Sequence, residues 1–154
     1  MWLNYVIPFL TILLTYSLGY FSNITKKKDD IDIKRYETFY IPFMRKIMRL
    51  SYSNTNHGDL PQHIRKEFTF LIMDNIQYLG KESSKCVAEY YSVSVDILTK
   101  EHTADYTNAK KYLDISYSRL EKAILKEAEA LSKSLKYPNL AKVVLDDINL
   151  RSLK

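Results

Sequence analysis

His57, Asp59 and His63 are the closest this sequence comes to a metal-binding group, two imidazoles and a carboxylate in one short polar stretch. Their spacing matches no zinc signature, and neither His-Glu-x-x-His nor Glu-x-x-His occurs, so they read as loop and helix-cap residues. His102, with Glu101 beside it and Asp105 three residues on, reads as a solvated turn histidine. The single Cys86 has no histidine at a motif-like distance, and a lone thiol forms no internal disulfide and is compatible with a reducing compartment. Asp146 and Asp147 are adjacent, so on a helix they project about 100° apart instead of converging. The three glycines stand isolated at 19, 58 and 80, which leaves no phosphate-cradling loop. No catalytic, cofactor-binding or metal-ligating residue is therefore assigned, no cofactor is expected, and the chain does not read as an enzyme.

The elements that carry these residues are helical. Gly 3 and Pro 4 among 154 residues are too few for a strand-and-turn protein, and the apolar spacings are of helical period throughout. The expected class is all-α: an N-terminal single transmembrane helix followed by a small helical bundle of about four to five helices, one of them long. Residues 1–25 would be the anchor, 26–50 a basic and aromatic juxtamembrane helix, and 51–154 the bundle.

The anchor is expected because residues 1–21 carry no charged side chain. Trp2 to Phe21 would rise about 30 Å as an α-helix, the thickness of a bilayer's hydrocarbon core. Its spanning residues would be Trp2, Leu3, Val6, Ile7, Phe9, Leu10, Ile12, Leu13, Leu14, Leu18 and Phe21, with aromatic rings toward both ends. Lys26, Lys27 and Lys28 follow the apolar run and no basic residue precedes it, which keeps the body on the cytoplasmic side and the N-terminus outside. Signal-peptide cleavage after Gly19, giving an exported helical binding protein, is the alternative; the missing basic n-region argues against it.

The net charge of +5 is concentrated beside this segment. Residues 26–49 hold eight basic residues (Lys26, Lys27, Lys28, Lys34, Arg35, Arg45, Lys46, Arg49) against four acidic ones. These eight are the expected contacts to anionic lipid headgroups, each worth about 1 kcal/mol at an anionic leaflet. No basic stripe or motif points to nucleic acid.

Along the body, Ile33, Tyr36, Tyr40, Phe43, Ile47 and Leu50 repeat at helical spacing, with Pro42 predicting a kink or a break before Ile41. The aromatic run 36–44 reads either as an interfacial helix or as ordinary core. Asp59 three before Gln62 resembles a capping box, Ile64, Phe68, Leu71, Ile72 and Leu79 give the next helix its apolar side, and Gly80 is placed to end it. A helix from about Glu82 to Lys100 would turn Val87, Tyr91, Val95 and Leu98 inward, with Tyr90, Val93 and Ile97 widening that face.

From Ala104 to Lys136 the pattern Tyr106, Ala109, Leu113, Tyr117, Leu120, Ile124, Ala128, Leu131, Leu135 averages just over 3.6 residues per step, which predicts a straight bundle helix. Residues 104–136 are also the surface through which a homodimer would form. Pro138 ends this helix, and a short final helix carries Leu140, Val143, Val144 and Ile148. The lysine, isoleucine, tyrosine and asparagine bias is that of an AT-rich bacterial or phage coding sequence. The expected function is protein–protein interaction at the inner leaflet, as an adaptor, an inhibitor or a phage or mobile-element exclusion factor; a membrane-associated enzyme is the more remote alternative.

Overall fold

In the computed structural model the backbone is described for residues 3–50, 56–100 and 105–151, and side chains for 14–50, 56–99 and 105–149. The chain is all-α, and among the described residues there is no strand. It divides into two units, Met1–Lys34 and Arg35–Lys154.

The described residues of the first unit lie within helix α1 (Leu3–Arg35). Its described apolar side chains are exposed except the half-buried Ile33; Leu14, Leu18, Phe21 and Ile24 are among the exposed ones. Among the described residues no helix is long and apolar enough to cross a membrane. The span expected over Trp2–Phe21 falls mostly on residues 1–13, whose side chains lie outside the described residues.

The second unit begins with a π-helical segment, Tyr36–Tyr40, that leads into α2 (Ile41–Leu50). The proline at 42 produces no break. Instead the Ile41 N–H reaches back to the Tyr36 carbonyl, five residues away, and both flanking residues keep helical dihedrals. The wider turn accommodates a proline that lacks an N–H and whose ring crowds the preceding turn. Tyr36, Phe39, Tyr40, Phe43, Met44 and Ile47 are all buried, so the aromatic run is core of this unit.

After α2 come a 3-10 turn at His57–Asp59 and α3 (Gln62–Asp74). The expected capping box does not form: Pro61 occupies the N-cap position without a side-chain cap, and Asp59 pairs with Lys110 at 2.9 Å. Nor does Gly80 end α3, which stops at Asp74 and passes through a 3-10 turn, Ile76–Tyr78, to α4 (Lys81–Lys100). Gly80 instead faces α5. A Cβ there would sit 2.5 Å from the Glu127 carboxylate, which occupies the space in front of α4.

Helix α5 (Tyr106–Ser134) is the centre of the bundle, with α4 and α6 (Leu140–Arg151) packed against it. Its expected apolar positions from Ala109 to Leu131 are buried within the chain. It ends in a Schellman motif: Tyr137 N–H bonds the Ser132 carbonyl at 2.9 Å and Lys136 N–H bonds that of Lys133 at 3.3 Å. Lys136 stands in the left-handed position, φ 57°, where glycine is the usual residue. On α6 the buried face is Ala141 and Val144, while Leu140 and Val143 are exposed.

Candidate functional site

Three helices of the second unit build an apolar groove. From α3 come Gln62, Arg65, Lys66, Thr69 and Phe70, positions that recur at three- and four-residue spacing and therefore share one side of the helix. From α4 come Tyr91, Ser94, Val95 and Leu98 by the same spacing, and Ile97 with Leu113 of α5 forms the floor. The cavity measures about 170 Å³.

The apolar walls of this groove face solvent. Phe70 is 61% exposed, Tyr91 44%, Val95 45% and Leu98 41%. This corrects the expected register of α4. Val87, expected inward, is buried, as are Tyr90 and Ile97, expected to widen that face, whereas Tyr91, Val95 and Leu98 lie on the open side. Two apolar stripes of equal period lie side by side on α4, and only the first is covered by α5 and α3.

The groove's polar edge is anchored from beneath. Arg65 is buried, and its Nη1 donates to the Gly58 carbonyl at 2.8 Å. The Gly58 N–H in turn donates to Asp114 Oδ1 at 2.6 Å, which joins the 57–59 turn to α5. Burial raises the Asp114 carboxyl above the usual range, opposed by the Gly58 N–H. A Cβ on Gly58 would meet the Lys110 carbonyl oxygen at 2.9 Å, so only glycine fits there.

Next to Arg65, His57 stacks on Tyr117 and its Nε2 lies 3.2 Å from the Tyr90 hydroxyl, which lies 3.1 Å from Thr69 Oγ1. His57 Nδ1 is buried without a hydrogen-bond partner among the described residues. Burial first, and the nearby Arg65 charge second, lower the His57 pKa to about 3, so the ring is neutral at physiological pH. His57, Asp59 and His63 do not converge: His57 is in this aromatic nest, Asp59 is bound to Lys110, and His63 is exposed. Among the described residues no three His, Cys, Asp or Glu are placed to hold a metal ion.

At the other end of α4, Glu127 of α5 receives the N–H groups of Gly80 (2.9 Å), Glu82 (3.1 Å) and Ser83 (3.0 Å), the Ser83 hydroxyl (2.6 Å) and the Tyr40 hydroxyl (3.1 Å). A carboxylate there satisfies the orphan donors of a helix start and complements its dipole. It is a structural tie joining α4, α5 and the π-helical segment.

Of the expected headgroup residues, Lys26, Lys27, Lys28, Lys34, Arg45 and Arg49 are exposed. Two are committed inside the second unit: Arg35 Nε donates to the Tyr78 carbonyl at 3.0 Å, and Lys46 pairs with Glu67 at 2.7 Å. Of the expected spanning residues, Leu14, Leu18 and Phe21 are exposed, and the others precede the described side chains. Sequence reasoning missed the groove. A signal was present in Phe70, a large ring outside the Ile64, Phe68, Leu71, Ile72 pattern of its helix.

Compared with known proteins, the chain matches no family model, no curated protein and no solved structure.

Proposed function

We propose that this protein is a single-pass, membrane-anchored helical protein that binds another protein through the α3–α4 groove on its cytoplasmic side. The observation that carries the reading is the second apolar stripe on α4, Tyr91, Val95 and Leu98, lying solvent-exposed beside Phe70. Exposed apolar residues scattered singly are ordinary, but a contiguous set around a concave floor marks an interaction surface.

The anchor is supported by the uncharged residues 1–21, the exposed Leu14, Leu18 and Phe21 on α1, and the exposed lysines 26–28 that follow. Lipid tails would cover side chains that water otherwise meets, and the lysine cluster would hold the body inside. The role is that of an adaptor, inhibitor or exclusion factor, whose output is the occupancy of its partner.

Membrane fractionation with protease protection tests the placement. The protein is expected in the membrane fraction, with its body resistant to protease added outside intact cells. A body digested from outside, or a chain recovered wholly in the supernatant after carbonate extraction, overturns it.

A further inference from the structure

We infer that the α3–α4 groove takes one large apolar side chain from an acidic, amphipathic helix of a partner protein; the inference rests on the partner-binding reading above. Size decides the first part. A cavity of about 170 Å³ is close to the roughly 150 Å³ that accommodates a benzene ring and well below the roughly 300–1,000 Å³ of drug-sized ligand sites. One aromatic ring or one branched aliphatic side chain fills it, which is how a hot-spot anchor is seated.

The surroundings decide the second part. Tyr91, Val95 and Leu98 span two turns of α4, about 10 Å of groove wall, and Phe70 stands exposed on the α3 side. Among the described residues there is no strand edge that an extended peptide could join, so the recognition mode is a helix laid in a groove, with apolar residues spaced at three and four.

Charge decides the third part. The lining carries two cations, Arg65 and Lys66, and no carboxylate. Among the described residues the Arg65 side chain has a single hydrogen bond, to Gly58, and no carboxylate within ion-pair distance, Asp114 acting on it only from farther away, and Lys66 has no ion pair. A buried guanidinium on an apolar wall favours an acidic neighbour brought by the partner, since the low-dielectric surroundings strengthen that attraction. Lys66, exposed at the rim, meets the flanking acid and steers association.

The test uses the full chain in neutral detergent micelles and fluorescent helical peptides of about 15 residues. One carries Leu, Phe and Leu at three- and four-residue spacing with glutamates on its flanks, a second has lysines in place of the glutamates, and a third scrambles the first. The glutamate peptide is expected to bind roughly tenfold or more tighter than either control. Val95→Asp, at a half-exposed position, should abolish that difference without altering thermal unfolding, and Lys66→Glu should shift the preference toward the lysine peptide. Equal or tighter binding of the lysine peptide, or binding indifferent to Val95→Asp, overturns the inference. So does a detergent-solubilised dimer dispersed by Val95→Asp, which assigns the groove to a second copy. Cross-linking from position 95 in cells separates the two claims: a protein adduct there without glutamate-peptide binding leaves the partner reading standing and removes the acidic-helix assignment.

Discussion

His57 lies flat on Tyr117, the ring centroids 3.7 Å apart and the planes 5° from parallel. The stack places a titratable ring in the floor of the 57–59 turn, with Phe68 edge-on at 5.5 Å and Tyr90 at 5.8 Å. A neutral imidazole packs there as an aromatic ring; a protonated one would place a buried charge beside Arg65.

Acid should therefore destabilise the second unit through this residue. The folded pKa of about 3 lies below the ordinary value near 6.5, so the unfolded chain takes up the proton first and stability is lost as pH falls between those values. The slope of this contribution is about 1.4 kcal/mol per pH unit. His57→Phe keeps a ring against Tyr117 and cannot titrate. The stability difference between wild type and His57→Phe, followed by denaturant unfolding from pH 7 to pH 4, should shift toward the variant at roughly that slope; a pH-independent difference would contradict it.

Glu127 gathers five donors from two other segments of chain, residues 80–83 and Tyr40, so its removal should be felt across the bundle. Glu127→Ala leaves the start of α4 uncapped and should cost about 2–4 kcal/mol. Glu127→Gln, which keeps an acceptor and loses the charge, should cost less. Circular-dichroism melts of the full chain would rank them, and a melting temperature indifferent to both would refute the tie.

Gly58→Ala should destabilise by about 1–3 kcal/mol, because the added methyl meets the Lys110 carbonyl and pushes the turn off its bond to Asp114. Amide exchange localised to residues 57–59 and the facing turn of α5 would report it. Unchanged protection there would show that the turn moves freely.

At the end of α5 the sign reverses. Lys136→Gly relieves a left-handed lysine and should stabilise by up to about 1 kcal/mol, against some loss from the greater freedom of glycine in the unfolded chain. A lower melting temperature would mean that the lysine side chain contributes more than its backbone costs.

How much of this was legible in the sequence depended on the range of the interactions. The long helix was readable because Ala109, Leu113, Tyr117, Leu120 and Ile124 repeat with one period and one face. Its neighbour α4 was legible only in part: Val87, Tyr90 and Ile97 do turn inward, but Tyr91, Val95 and Leu98 satisfy helical spacing equally well, and only packing against α5 selects between the two sets. Asp59 looked like a cap from local spacing, but Lys110, distant in sequence, holds it elsewhere. Glu127 serves donors 44 to 47 residues away, a relationship that no local pattern encodes. The groove is what remains when two helices each cover only part of their apolar surface, and its cations carry no signature by spacing.

The most direct measurement places a photo-crosslinking residue at position 95 in the full-length chain in cells, with position 122 on the exposed side of α5 as control. A discrete protein adduct from 95, absent from 122 and lost when Leu98→Asp is added, is the expected result. Adducts equal at the two positions, or none from 95, would contradict a partner in the α3–α4 groove.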